Sequence, residues 1–260
     1  MGAEPVKLSK RTVGIPVLVL SVVIVAVIAA LAVYVAVKPA EEEKPETGTI
    51  KIGAIMCLSG GLADVGPGLV DGIQLAVWEV NQKGGIQGRQ VEVIVEDEET
   101  NPTKAVEVGS KLIDIDGVKV IVGPMISPSV LSLANKSSAS KVVLVSPSAT
   151  AASVADAGPY VFRVCPSDLL QGRVLADLAE LKGYTKVATL VINNDYGVGL
   201  EDAFSANFKG DIVAKVKFEP EKADYRTELD TIKAKQPQAI MLVAYPESGT
   251  VILKQAAELK

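Results

Sequence analysis

Lys51–Ile113 reads KIGAIMCLSGGLADVGPGLVDGIQLAVWEVNQKGGIQGRQVEVIVEDEETNPTKAVEVGSKLI, and the changes of hydrophobic period along it decide the fold. The apolar run Ile50–Cys57 is short enough for a buried strand and breaks at Leu58-Ser59-Gly60-Gly61. From Leu69 to Gln82 the period lengthens to that of a helix. Ile73, Ala76, Val77 and Val80 then share one face, and Gly84-Gly85 ends it. A second strand is predicted over Val91–Glu96. Asn101 follows as a helix cap and Pro102 as the first helical residue, with Ala105, Val108, Leu112 and Ile113 turned inward. Strand, helix and strand in this order make a crossover unit, which places its two strands parallel in one sheet.

The alternation continues to the end of the chain. Further strands are predicted over Val118–Val122, Val142–Val145, Tyr160–Val164, Lys186–Ile192, Ile212–Phe218 and Ala239–Ala244. Between the last four lie helical segments, one opened by Ser167 with Leu170, Val174, Leu178 and Leu181 as its stripe. The fold class is therefore α/β, with doubly wound parallel sheets. Pro166 and a capped helix directly after Tyr160–Val164 mark a crossing between two lobes, 49–165 and 166–260. Only three strands belong to the second lobe, and no closing strand follows its last helix, so that lobe is expected to be incomplete.

The N-terminal part is of a different kind. Val13–Val37 is a run of 25 uncharged residues. At about 1.5 Å per residue it exceeds a hydrocarbon core of about 30 Å. Lys7, Lys10 and Arg11 precede it and an acidic stretch follows, so residues 1–12 are expected in the cytoplasm and the domain outside. A cleaved signal peptide is the competing reading, but its apolar region would be shorter. Residues 38–48, KPAEEEKPETG, read as a solvated tether.

Composition removes several functions. The net charge is -5; residues 1–48 carry five basic and five acidic groups, so the whole excess belongs to the folded part. That balance speaks against nucleic acid as a partner. Histidine is absent, which excludes Ser-His-Asp and Cys-His machinery and every histidine-containing zinc site. Cys57 and Cys165 read as buried free thiols, and nothing near Cys57 in sequence would activate it as a nucleophile. Gly61–Gly66 has the spacing of a phosphate loop, but Pro67-Gly68 stands where Lys and Ser/Thr are required. The run Asp97-Glu98-Glu99 reads as solvated strand-end charge rather than a metal site. Asn135-Lys136-Ser137 is a weak glycosylation sequon. No catalytic residue, metal or cofactor is expected.

In parallel sheets, ligands bind beyond the carboxyl ends of the strands. Those ends carry Ser127 and Ser129 after the third strand, and Ser146-Pro147-Ser148-Ala149-Thr150 after the fourth. In the second lobe they carry Asn193-Asn194-Asp195-Tyr196-Gly197 and Tyr245-Pro246-Glu247. Small hydroxyls on one lobe and tyrosines on the other suit a cleft that closes over a small carboxylate-bearing molecule. Taken singly, each hydroxyl also fits a helix cap or turn, and Tyr196 a packing residue.

The Lys51–Ile113 stretch, followed in order by VIVGPMISPS, VSPSATA, FRVCPSD, NNDYGVGL and YPESGTVILKQAAEL, resembles the solute-binding proteins of branched-chain amino-acid ABC transporters. The resemblance implies a type I periplasmic-binding-protein fold, two lobes around a trapped ligand, delivery to a membrane permease and no chemistry. By motif, Ser127 would donate to a ligand carboxylate. Ser148, through its backbone carbonyl, with Ala149 and Thr150 would meet the ammonium and carboxylate, and Tyr196 and Tyr245 would close over the ligand. Val65 stands where some members have an aromatic residue, which leaves the side chain of the ligand open. A sensor ectodomain of a signalling receptor is the alternative within the same fold, and an extracytoplasmic amidase or carboxylate hydrolase the alternative of another class.

Overall fold

The computed structural model describes residues 48–259. The expected cytoplasmic segment 1–12, the membrane segment Val13–Val37 and the tether up to residue 47 lie outside the described residues. Among the described residues no helix is long and apolar enough to cross a membrane.

The elements run β1 (Ile50–Met56), α1 (Gly66–Gln82), β2 (Val91–Asp97), α2 (Pro102–Asp114), β3 (Val120–Val122), α3 (Ser127–Ser140), β4 (Val143–Ser146) and β5 (Val161–Arg163). They continue with α4 (Asp168–Leu181), β6 (Lys186–Ile192), α5 (Asp195–Asn207), β7 (Asp211–Phe218), α6 (Arg226–Lys233), β8 (Ala239–Val243) and α7 (Pro246–Glu258). Two sheets result, ordered β2-β1-β3-β4-β5 and β7-β6-β8, and every pairing in them is parallel.

Strands covered on both faces read as unbroken apolar runs. In β6 every residue from Val187 to Ile192 is buried. Because side chains alternate along a strand, Val187 and Val191 join Leu200 and Phe204 on one face, while Ala188, Leu190 and Ile192 join Phe218, Tyr225 and Leu229 on the other. Around the first sheet Ile55, Ile121 and Leu144 of the strands, with Leu112 of α2 and Leu133 of α3, are wholly excluded from solvent. Each contributes roughly 1.5–3 kcal/mol of transfer free energy relative to exposure. The cap at α2 forms as the sequence requires: Asn101 Oδ1 accepts the amides of Thr103 (2.8 Å) and Lys104 (3.3 Å).

Three expectations need correction. The strand predicted from Val118 starts at Val120, because the Val118 amide donates to the Leu112 carbonyl and still belongs to the turn out of α2. The stripe Leu170, Val174, Leu178 and Leu181 does not face the core; Leu170 is 57% and Leu181 83% exposed. The buried face of α4 is instead Asp168, Gly172 and Ala176. A Cβ on Gly172 would lie 2.6 Å from both Ala203 Cβ and the Phe204 backbone nitrogen, so the small residues let α4 and α5 approach closely. On α1, Ala76 is exposed although Ile73, Val77 and Val80 are partly covered.

Candidate functional site

Strand order reverses between β1 and β3 in one sheet and between β6 and β8 in the other. Loops diverge at such points and leave a crevice at the carboxyl ends. Here a cavity of about 270 Å³ lies at both reversals, lined from the first sheet by Leu62, Val65, Met125, Ile126, Ser127, Ser148 and Thr150. Gln171 of α4 joins them, with Tyr196, Ala244, Tyr245 and Pro246 from the ends of β6 and β8. No lining residue carries a charge.

The β3 end reaches the cavity through Gly123. Its φ is +112°, and a Cβ there would lie 2.3 Å from the Ile55 carbonyl oxygen, so only glycine fits between β3 and β1. The following Met125 amide donates to Glu98 Oε1 at 2.6 Å. Glu98 is fully buried, with Ser129 and Cys57 facing it, and burial pushes its carboxyl pKa up. Of the acidic run expected to be solvated, Glu99 is exposed, Asp97 is half-buried and Glu98 is buried. Asp97 accepts from the Leu58 amide (2.9 Å) and the Ser59 hydroxyl (2.6 Å), so the run ties the loops after β1 and β3 together. Among the described residues no group of three or more cysteines and carboxylates could hold a metal ion.

Of the six residues singled out in the sequence, Ser127, Ser148, Thr150, Tyr196 and Tyr245 share the cavity wall, while Ala149 lies behind it, fully buried. Ser127 Oγ accepts the Ala151 amide at 3.2 Å, which leaves its own proton to be donated into the cavity. Ser127 is also the first residue of α3, whose N-cap position, Ile126, makes no side-chain cap bond. The Ser148 hydroxyl is spent on the Met125 carbonyl at 2.7 Å. Thr150 Oγ1 donates to Asp168 Oδ2 at 3.0 Å, which leaves a lone pair on the threonine oxygen. On the opposite wall the rings of Tyr196 and Tyr245 stack with centroids 5.9 Å apart and planes 4° from parallel, and Asn194 Nδ2 donates to Tyr245 Oη at 3.3 Å. Burial raises the pKa of both phenols, so both are neutral donors at neutral pH.

Sequence reasoning missed Asp168. It is fully buried, and its Oδ1 has no hydrogen-bond partner. Burial raises its pKa, opposed by the Thr150 hydrogen bond and the charge of Arg163. An acidic residue just after Ser167 reads as an ordinary complement to a helix N-terminus, which is why its sequence context gave no signal. Cys57 is fully buried, and burial pushes its thiol up with Glu98 adding to the shift; Cys165, expected to be buried as well, is only partly so.

The sequence profile described as periplasmic binding protein matches residues 49–260. The chain belongs to this family. A relative, the Leu/Ile/Val-binding protein BraC3 of Rhizobium johnstonii, is 30% identical over 216 residues, covering 81% of this chain and 58% of that protein. Among solved structures, the branched-chain amino acid transporter substrate-binding protein LivJ of Streptococcus pneumoniae, in complex with isoleucine, superposes with a TM-score of 0.75. It is 32% identical, over 81% of this chain and 61% of that one. An ABC-transporter solute-binding protein of R. palustris in complex with 4-hydroxybenzoate superposes with a TM-score of 0.74, at 26% identity over 81% of this chain and 58% of that one. This family member thus spans less than two thirds of the length of these relatives.

Proposed function

We propose that this periplasmic binding protein is the extracytoplasmic solute-binding component of an ABC transporter, that it takes a branched-chain amino acid or a related small amino acid or amide, and that it hands the ligand to a membrane permease without chemical change. Lobes 49–165 and 166–260 form the two walls of the site, and the Val13–Val37 helix anchors the protein to the membrane. The support for that anchor is its uncharged length and the basic residues before it.

One observation carries the ligand class. The cavity has a donor pole at Ser127, where a hydroxyl proton and the first turn of α3 converge, and an acceptor pole at Thr150, backed by the partnerless oxygen of Asp168. A carboxylate suits the first and an ammonium the second. Between and around them the lining is aliphatic or aromatic, which suits an uncharged side chain. Ser127, Ser148, Ala149, Thr150, Tyr196 and Tyr245 are the proposed ligand-binding set, with Ala149 acting through its position behind the wall and Asp168 supporting Thr150 from the same buried side.

Thermal-shift screening of the 260-residue chain against neutral amino acids and amides tests the reading. Binding to the native state alone raises stability by RT ln(1 + [L]/Kd), about 2.7 kcal/mol at a hundred times Kd. A rise in Tm with leucine, isoleucine or valine is expected. A flat response to every neutral amino acid and amide at millimolar concentration contradicts the proposal.

A further inference from the structure

Arg163 ends β5, outside the cavity, yet it organises the acceptor pole. Its Nη1 donates to three successive carbonyls, those of Ala149 (3.3 Å), Thr150 (2.7 Å) and Ala151 (2.7 Å). Three consecutive carbonyl oxygens turned toward one point repel each other, and a cation at that point turns the repulsion into attraction. The same segment is held from its amide side, since Ala149 donates to Ser146 Oγ (3.1 Å) and Ala151 to Ser127 Oγ. Thr150 is fixed a third time, because its carbonyl also accepts the Asp168 amide at 2.9 Å.

We infer that Arg163 is a positioning residue for the ligand site: its guanidinium fixes the 149–151 segment so that Ser127 and Thr150 face the cavity, and its charge acts on Asp168 behind Thr150. This rests on the proposed function in so far as the ligand is concerned. The groups that face Asp168 are Thr150 on the loop after β4, Arg163 on β5, Cys165 between β5 and α4, and Tyr196 on α5. Of these, Arg163 alone is cationic. It opposes the upward push that burial exerts on the carboxyl.

The test compares wild type with Arg163→Gln and Arg163→Lys in the 260-residue chain. Three readouts are used: carboxyl titration of Asp168 by NMR, amide exchange at Ala151, and calorimetric titration with leucine. In Arg163→Gln the Asp168 midpoint moves up, Ala151 exchanges at least about tenfold faster, and leucine affinity falls about tenfold or more, the loss of one charge-assisted contact of about 1.5 kcal/mol. In Arg163→Lys the charge is kept and the planar fork is lost, so the midpoint stays near that of wild type while Ala151 exchange still quickens. An unmoved midpoint in Arg163→Gln, or Ala151 exchange in Arg163→Lys equal to wild type, overturns the inference. Should Arg163→Gln not fold, the lysine variant decides alone through Ala151 exchange. Titration and exchange need no ligand, so failure of wild type to bind leucine counts against the proposed function and leaves the inference to be decided by those two readouts.

Discussion

The two walls of the cavity are built on different principles. On the first-sheet side the polar side chains of the wall are already anchored within the protein: Ser127 by Ala151, Ser148 by Met125, Thr150 by Asp168, and the carbonyls of 149–151 by Arg163. On the second-sheet side stand two stacked tyrosines, with Asn194 reaching one hydroxyl. The first wall is pre-organised, so its hydrogen-bonding directions are set before a ligand arrives and little ordering entropy remains to be lost. The second supplies apolar area and closure. On the proposed function, the first wall would decide which charged groups a ligand must have, and the second how well water is excluded from it.

The largest effect should come from Asp168→Asn. Removing the charge behind the acceptor pole should weaken leucine binding about 10- to 100-fold, corresponding to roughly 1.5–3 kcal/mol for a hydrogen bond to a charged group. The ligand-free protein should melt at the same or a higher temperature, because a buried charge without a full set of partners has been removed. Calorimetry and thermal melting check both halves. A pH series sharpens the point. The folded pKa of Asp168 is raised, so its contribution to ligand-free stability is fully present below the unfolded aspartate value and is lost as pH rises through the folded value. Leucine affinity should run the opposite way, falling as pH drops through that same folded value, above the ordinary aspartate range. In Asp168→Asn the difference from wild type should vanish at the acid end of the series.

Ser127→Ala comes next. It leaves the buried Ala151 amide unpaired and should cost about 1–3 kcal/mol of stability as well as affinity, so a fall in both Tm and binding is the expected signature. A loss of binding with unchanged Tm would mean that the first wall is not internally braced. Tyr245→Phe should do least. It removes the Asn194 contact and keeps the ring, costing about 0.5–1.5 kcal/mol at most in leucine affinity. An effect as large as that of Asp168→Asn would show that the aromatic wall, too, reads polar groups.

The two walls also differ in how far they could be read from the sequence. Hydroxyls and tyrosines at strand ends announce themselves, because the periodicity that locates strands also locates their carboxyl ends. Asp168, Arg163 and Glu98 did not, since their roles depend on burial and on partners 12 to 27 positions away. Nothing in a single sequence separates a buried carboxylate from a solvated one when both follow a strand or open a helix. The same limit misread α4. Its leucine stripe has helical spacing, but the helix packs through Gly172 and Ala176, and closeness of approach outweighed side-chain size. Gly172→Ala should therefore cost about 1–3 kcal/mol by overpacking, while Leu178→Ala, on the exposed side, should stay within about 0.5 kcal/mol in chemical denaturation.

The central claim is that the cavity reads two opposite charges on one small molecule. Parallel calorimetric titrations of the 260-residue chain with leucine, with 4-methylpentanoate, which lacks the amino group, and with 4-hydroxybenzoate test it most directly. Leucine should bind at least about tenfold more tightly than either acid, the factor given by one charge-assisted hydrogen bond of about 1.5 kcal/mol at the acceptor pole. Equal or tighter binding of 4-methylpentanoate or 4-hydroxybenzoate would show that no ammonium is read at Thr150 and Asp168, and would contradict the account.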